Sequence, residues 1–269
     1  MAAIQHQINF ALSVADTTLI LLHRNSECCG HGPVLEQDIA ITNIALDLLG
    51  QSRNFYQYAA ALINDVVKSG GAAALPALSE AFEGEVNEDT LAYLRNERAY
   101  KNLLLVEQPN GDWAQTILRQ YLFSQYQLFL FEQLQYHEDT GLAAIATKSV
   151  KETAYHLRWS SEWVIRLGDG TGESHQRMLN AIGALWRYTG EMFIPADYER
   201  EMNINVELLQ QQWSKSVKKV FKAATLSVPD WKIAAKMQTG GKQGIHTEQL
   251  GYILAVMQYM QRAYPGCEW

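Results

Sequence analysis

The sequence is short of the residues that staple or punctuate a fold. Three cysteines, two of them adjacent at Cys28 and Cys29, cannot build a disulfide framework. No Cys-x-x-Cys pair offers zinc or dithiol chemistry, so the chain reads as a protein of the reducing cytoplasm. Six prolines in 269 residues leave long stretches without a helix breaker. Basic residues are outnumbered, 22 Lys and Arg against 29 Asp and Glu, and the net charge of -7 argues against a phosphate-neutralising nucleic-acid surface. No apolar run approaches the roughly 18 residues of a membrane span. The opening MAAIQHQINFALSVADTT has no Lys or Arg and carries Asp16, so it reads as the start of a helix and not as a signal peptide. Nucleophile-elbow, P-loop and dinucleotide fingerprints are also missing.

What is present is globular: 48% hydrophobic and 19% charged residues, enough to bury a sizeable core, with a single domain expected over residues 1–269. The apolar spacing is helical throughout and predicts an all-α fold. Ile8, Leu12, Ala15, Leu19 and Leu22 mark one helix. Ile39, Ile44, Leu48, Phe55, Leu62 and Val66 mark a second from Leu35 to Lys68, with Gly50 inside it for a close helix contact. Ser69–Gly84, rich in Gly and Ala, reads as a flexible linker or insertion. A third helix, capped by Asp89 or Thr90, is predicted through Leu91, Leu94 and Leu103 to Val106. Asp112 caps a fourth, a fifth spans Leu142 to Leu167, and others are expected over Ser174–Phe193, Val206–Ala224 and Thr247–Ala263. Helices two to five would form an antiparallel bundle.

Such a bundle can hold two metal ions on a Glu from each of two helices and Glu-x-x-His from each of the others. Here the pattern is broken. Helix three offers Glu97 with Tyr100 where a His is needed, and helix five offers His156 with Thr153 where a carboxylate is needed; Glu152 is four residues from His156. Helix two offers Asp38, Asn43, Asp47 and Gln51, and helix four Ser124, Gln125 and Gln127. Asp47, Glu97 and His156 are therefore expected as a residual, vestigial cluster without metal. Cys28-Cys29-Gly30-His31 lacks a second ligand pair and reads as a turn. Gly240-Gly241-Lys242 before His246-Thr247-Glu248 reads either as a phosphate cradle at a helix N-terminus or as a glycine turn capped by Thr247.

The blocks CGHGPVLEQDIAITNIALDLLGQSRNF, NERAYKNLLLVEQPNGDWA, VKETAYHLRWS and TGGKQGIHTEQLG resemble the C-subunit family of bacterial ring-1,2-phenylacetyl-CoA epoxidases over nearly the whole chain. The resemblance implies a ferritin-like four-helix bundle with flanking helices and a structural, non-catalytic subunit. It implies a heterodimer with a homologous catalytic A subunit that holds diiron, further epoxidase subunits, and electrons from NADPH through a reductase subunit. It also implies contact with the CoA part of phenylacetyl-CoA at Ala99, Tyr100, Lys101 and Asn102 and at Tyr198, Glu199 and Arg200. Two other readings of the residues stay open: an active dimetal oxidoreductase with atypical ligands, and a helical module that binds CoA thioesters.

Overall fold

The computed structural model describes residues 2–71, 85–229, 237–265 and 267. Four long helices dominate: α1 (Ala2–Ser26), α2 (Leu35–Lys68), α5 (Trp113–Leu134) and α6 (Thr140–Gly168). Between the pairs lie α3 (Glu88–Tyr93) and α4 (Leu104–Glu107); after them come α7 (Gly172–Leu185), α8 (Asp197–Glu201), α9 (Val206–Ala223), α10 (Glu248–Met257) and α11 (Tyr259–Ala263). No strand occurs among the described residues. The most extensive helix pairings are α1 with α2 and α5 with α6. One apolar cluster runs through all four, from Ile8 and Leu19 to Phe55, Leu118, Phe131 and Val164.

Local signals account for the long elements. Asp112 accepts the Gln115 amide at 3.0 Å and Asp139 accepts that of Leu142 at 2.8 Å, so side chains satisfy donors that α5 and α6 leave open at their N-termini. α2 has the expected bounds, and α9 is capped by Asn205 at the Leu208 amide. Gly50 serves no close contact: a Cβ there would meet nothing within 4 Å, and the residue is exposed. The linker expected at Ser69–Gly84 lies, from residue 72 on, outside the described residues. Two predicted long helices are interrupted. Two 3-10 turns, Trp186–Tyr188 and Gly190–Phe193, follow α7, and Gln258 separates α10 from α11.

The predicted third helix is the main correction. The chain makes α3, capped by Asn87 with Thr90 completing a capping box, then a 3-10 turn at Glu97–Ala99, an extended run, and one turn of α4. The bundle is accordingly α1, α2, α5 and α6, not helices two to five. Apolar spacing at Leu91, Leu94 and Leu103 fits a buried crossover as well as a helix, and side chains decide between them. Arg95, buried beneath the crossover, gives Nε to the Leu91 carbonyl at 2.5 Å and Nη1 to that of Ala99 at 2.9 Å. Asp16 of α1 accepts the Lys101 amide at 2.8 Å and the Tyr56 hydroxyl at 2.5 Å, and it pairs with the Arg95 guanidinium. Burial alone would lower the Arg95 pKa, but Asp16, Tyr56 and Tyr100 outweigh it and hold the cation.

Because Asp16 and Arg95 are both buried, removing one strands the other's charge in the core. Asp16→Ala is expected to lower the free energy of unfolding by about 3–5 kcal/mol in urea denaturation. A loss under about 1 kcal/mol, the size of an exposed pair, contradicts this assignment.

Candidate functional site

The centre of the bundle is polar, and its polar side chains come from all four long helices. Thr153 and His156 share the inner face of α6, being three residues apart and both buried. Opposite them on α2 stand Asp47 and Gln51, and on α5 Ser124 and Gln127. His156 Nε2 lies 2.9 Å from Asp47 Oδ2, while its Nδ1 has no partner among the described residues. Gln51 Nε2 donates to Glu152 at 2.9 Å, and Gln127 Nε2 donates to Gln51 Oε1 at 3.0 Å. Further along α5, Asn25 donates to Gln120 and Gln120 to Ser124, at 2.7 and 2.8 Å.

Amides and hydroxyls dominate this network, with Asp47, Glu152 and His156 as its ionisable members. Hard metal ions in such bundles need several anionic oxygens beside imidazole. Among the described residues no three His, Cys, Asp or Glu side chains converge as ligands. The residues present do not fit a dimetal centre. Of the three expected vestigial residues, the structure joins Asp47 and His156 and removes Glu97. Glu97 is exposed on the 3-10 turn, beside Gly251 of α10, because the crossover that carries it is not a bundle helix. Tyr100 does not fill the bundle centre either. It is buried under the crossover, its hydroxyl donating to the Ala92 carbonyl and accepting from Gln258, with Arg95 4.4 Å above its ring.

A second place is a mostly apolar cavity of about 30 Å³ between α1, α5 and α8, with Ser13, Thr17, Lys101, Tyr126, Tyr198 and Lys242 among its lining residues. Lys101 and Tyr198, from the two blocks expected at substrate, meet here, and Glu199 adjoins them. Their blockmates turn elsewhere. Ala99 offers its carbonyl to Arg95, Asn102 is buried with Nδ2 on Glu107 at 2.9 Å, and Arg200 is exposed on Asp197 at 2.5 Å. Glu199 is bound to Lys242 Nζ at 2.8 Å, both side chains buried. Burial lowers the Lys101 pKa against the pull of Asp16, and burial with Glu199 nearby raises Tyr126 and Tyr198. The space admits roughly one or two waters. Sequence reasoning missed Lys242 and Tyr126 here, since the Gly-Gly-Lys motif reads from sequence as a glycine turn or a phosphate cradle.

That motif does bind an anion, one belonging to the chain. The amides of Gly240 and Gly241 donate to Glu191 Oε1 at 2.7 and 2.6 Å, and Leu104 N donates to Oε2 at 2.9 Å. Gly241 is required because a Cβ would stand 2.3 Å from the Asn102 carbonyl. Thr247 does not cap α10 with its side chain; its amide and hydroxyl both donate to Glu107, at 2.9 and 2.6 Å. The Cys28–His31 segment is a turn, as expected, with Asp38 accepting the Gly30 amide at 2.8 Å.

A family model described as phenylacetic acid catabolic protein matches residues 1–269. The chain belongs to that family. It is also 44% identical over 265 residues to the C subunit of the 1,2-phenylacetyl-CoA epoxidase of Escherichia coli (strain K12), covering 97% of this chain and 98% of that protein. The chain has the ferritin-like helical fold of that family. No helix among its described residues is long and apolar enough to cross a membrane.

One ionisable group packed against the crossover reports on its environment. His246 Nδ1 meets Glu107 Oε1 at 2.6 Å and Nε2 meets the Tyr100 carbonyl at 3.0 Å, both acceptors, so the ring carries both protons. Burial opposes this charge, but the two acceptors outweigh it and raise the pKa above 6.5. A raised folded pKa gives stability that is complete below the unfolded value and lost as pH rises through the folded one. The unfolding free energy that wild type gains over His246→Gln is therefore expected to shrink above about pH 6.5. A gap unchanged between about pH 6 and 9 contradicts it.

Proposed function

We propose that this chain is the structural, non-catalytic subunit of a cytoplasmic phenylacetyl-CoA epoxidase and pairs with a homologous catalytic subunit. The observation that carries this reading is the bundle centre, where Gln51, Gln127, Ser124 and Thr153 stand at positions that a dimetal bundle fills with anionic ligands. Oxygen activation at diiron belongs, in this reading, to the partner, with electrons from NADPH through a reductase. This chain contributes a rigid helical surface.

The outer faces of α2 and α6 suit that role. Val34, Leu35, Ile39, Leu46 and Leu49 are exposed along the first half of α2, with Gly50 among them. Tyr155, Trp159 and Trp163 follow at spacings of four on α6, and Gln37 of α2 accepts both indole N–H groups, at 3.2 and 2.7 Å. Arg158 and Arg166 lie over Tyr155 and Trp163. A face of Trp, Tyr and Arg beside exposed aliphatics has the composition of a binding hot spot. The CoA-binding reading has support only in the meeting of Lys101 with Tyr198, in a cavity far too small for a CoA thioester.

Two experiments test the proposal. Metal analysis of the purified chain is expected to find well under one iron or manganese per chain; about two per chain, with oxygen-dependent turnover by the chain alone, overturns it. In co-expression with the catalytic subunit, Leu46→Arg with Leu49→Arg is expected to weaken co-purification at least about tenfold while the chain itself stays folded, since both residues are exposed. Undiminished pairing removes the α2 face from the interface.

A further inference from the structure

Helix α9 carries a surface apart from the α2 and α6 face proposed above for subunit pairing. Its inner residues Leu209, Trp213, Val217 and Phe221 are buried, with Trp213 Nε1 donating to the Leu122 carbonyl of α5 at 3.0 Å. Its outer face presents Lys215, Lys218, Lys219 and Lys222, all exposed and none in an ion pair among the described residues. Spacings of three and four put the four ammonium groups on one stripe, spanning about 10 Å of helix. Like charges at these spacings repel and weaken a helix. The helix dipole favours Lys222 in the last turn but not the three lysines before it. One turn earlier stand Gln211, Gln212 and Ser214, and the helix's one carboxylate, Glu207, lies about two turns before Lys215, so no carboxylate stands at the three- or four-residue spacing that would relieve the stripe. This concentration occurs in a chain whose acids outnumber its bases.

We propose that the α9 lysine stripe is an electrostatic docking surface for a second, reversibly bound protein component of the same complex, one that presents a carboxylate-rich face. The proposal rests on the subunit reading above, but on a helix other than α2 or α6. Charge complementarity defines the partner: opposed carboxylates would relieve the repulsion, and exposed lysines act mainly on association rate and salt dependence, which suits a reversible contact. Nucleic acid fits poorly, because the whole chain carries -7 and the outer face of α9 has no aromatic ring for a base to stack on.

The test uses this chain co-purified with its catalytic partner and immobilised, with each remaining purified subunit titrated at about 50 and 300 mM salt. One acidic subunit is expected to bind, at least tenfold more weakly at the higher salt. The K215E/K218E/K219E/K222E chain should lose that binding while keeping its catalytic partner. The all-Gln version should bind with a shallower salt dependence and melt no lower than wild type. Binding of every remaining subunit that ignores these substitutions overturns the proposal, as does duplex DNA bound equally well through the same lysines. A lower melting temperature for the all-Gln chain would assign the lysines to the stability of α9 and also overturn it. Failure of the wild-type chain to co-purify with its catalytic partner strikes at the subunit reading instead.

Discussion

Four buried carboxylates hold the non-helical parts of this molecule against the helical ones. Asp16, Glu107, Glu191 and Glu199 each lie in the protein interior, where an unpaired carboxylate is very costly. Each is met by backbone amides, by a buried cation, or by both: Asp16 by Lys101 N and Arg95, Glu107 by Thr247 N and His246, Glu191 by three loop amides, Glu199 by Ala196 N and Lys242. The irregular segments around residues 95–107 and 238–247 contain amides with no helical acceptor. The carboxylates supply one, and in return the amides and cations satisfy the carboxylates.

This pairing bears on function as well as stability. An anion hole made of loop amides, or a buried lysine in a cavity, is the material of a ligand site, and here each is already occupied from within the chain. Glu191 sits where a phosphate would on the glycine loop, and Glu199 takes the charge of Lys242. Likewise Gln127 donates to Gln51 and Gln51 to Glu152 at the bundle centre, and neutral amides there avoid the burial cost that a cluster of carboxylates would incur. The chain's exposed surfaces, the apolar face of α2 and α6 and the lysine stripe of α9, are the ones the proposals above assign to other proteins.

Short-range signals decided what could be read from the sequence. α2 and α9 appear within a residue of their expected bounds, and Asp112 caps α5 as expected, because helical period and capping are properties of neighbouring residues. The presence of Thr153 in place of a carboxylate three residues before His156 was legible for the same reason. Glu97 and Tyr100 were misplaced on a bundle helix because Leu91, Leu94 and Leu103 imitate its period. The acceptors that bend the chain away lie far off, Asp16 being 79 residues from Arg95.

The sequence by itself determined the all-helical class, the long helices with their caps, and Thr153 in place of a carboxylate three residues before His156, since each is written within a few residues of chain. Tertiary structure alone decided that α1 and not the segment after Asp89 completes the bundle, that Glu97 faces solvent while Asp47 meets His156, and that Glu191, 49 residues from Gly240, fills the glycine loop. Those outcomes depend on burial. Only the folded arrangement sets which charge lies in the interior and must find its partner there, and sequence spacing carries no record of that distance.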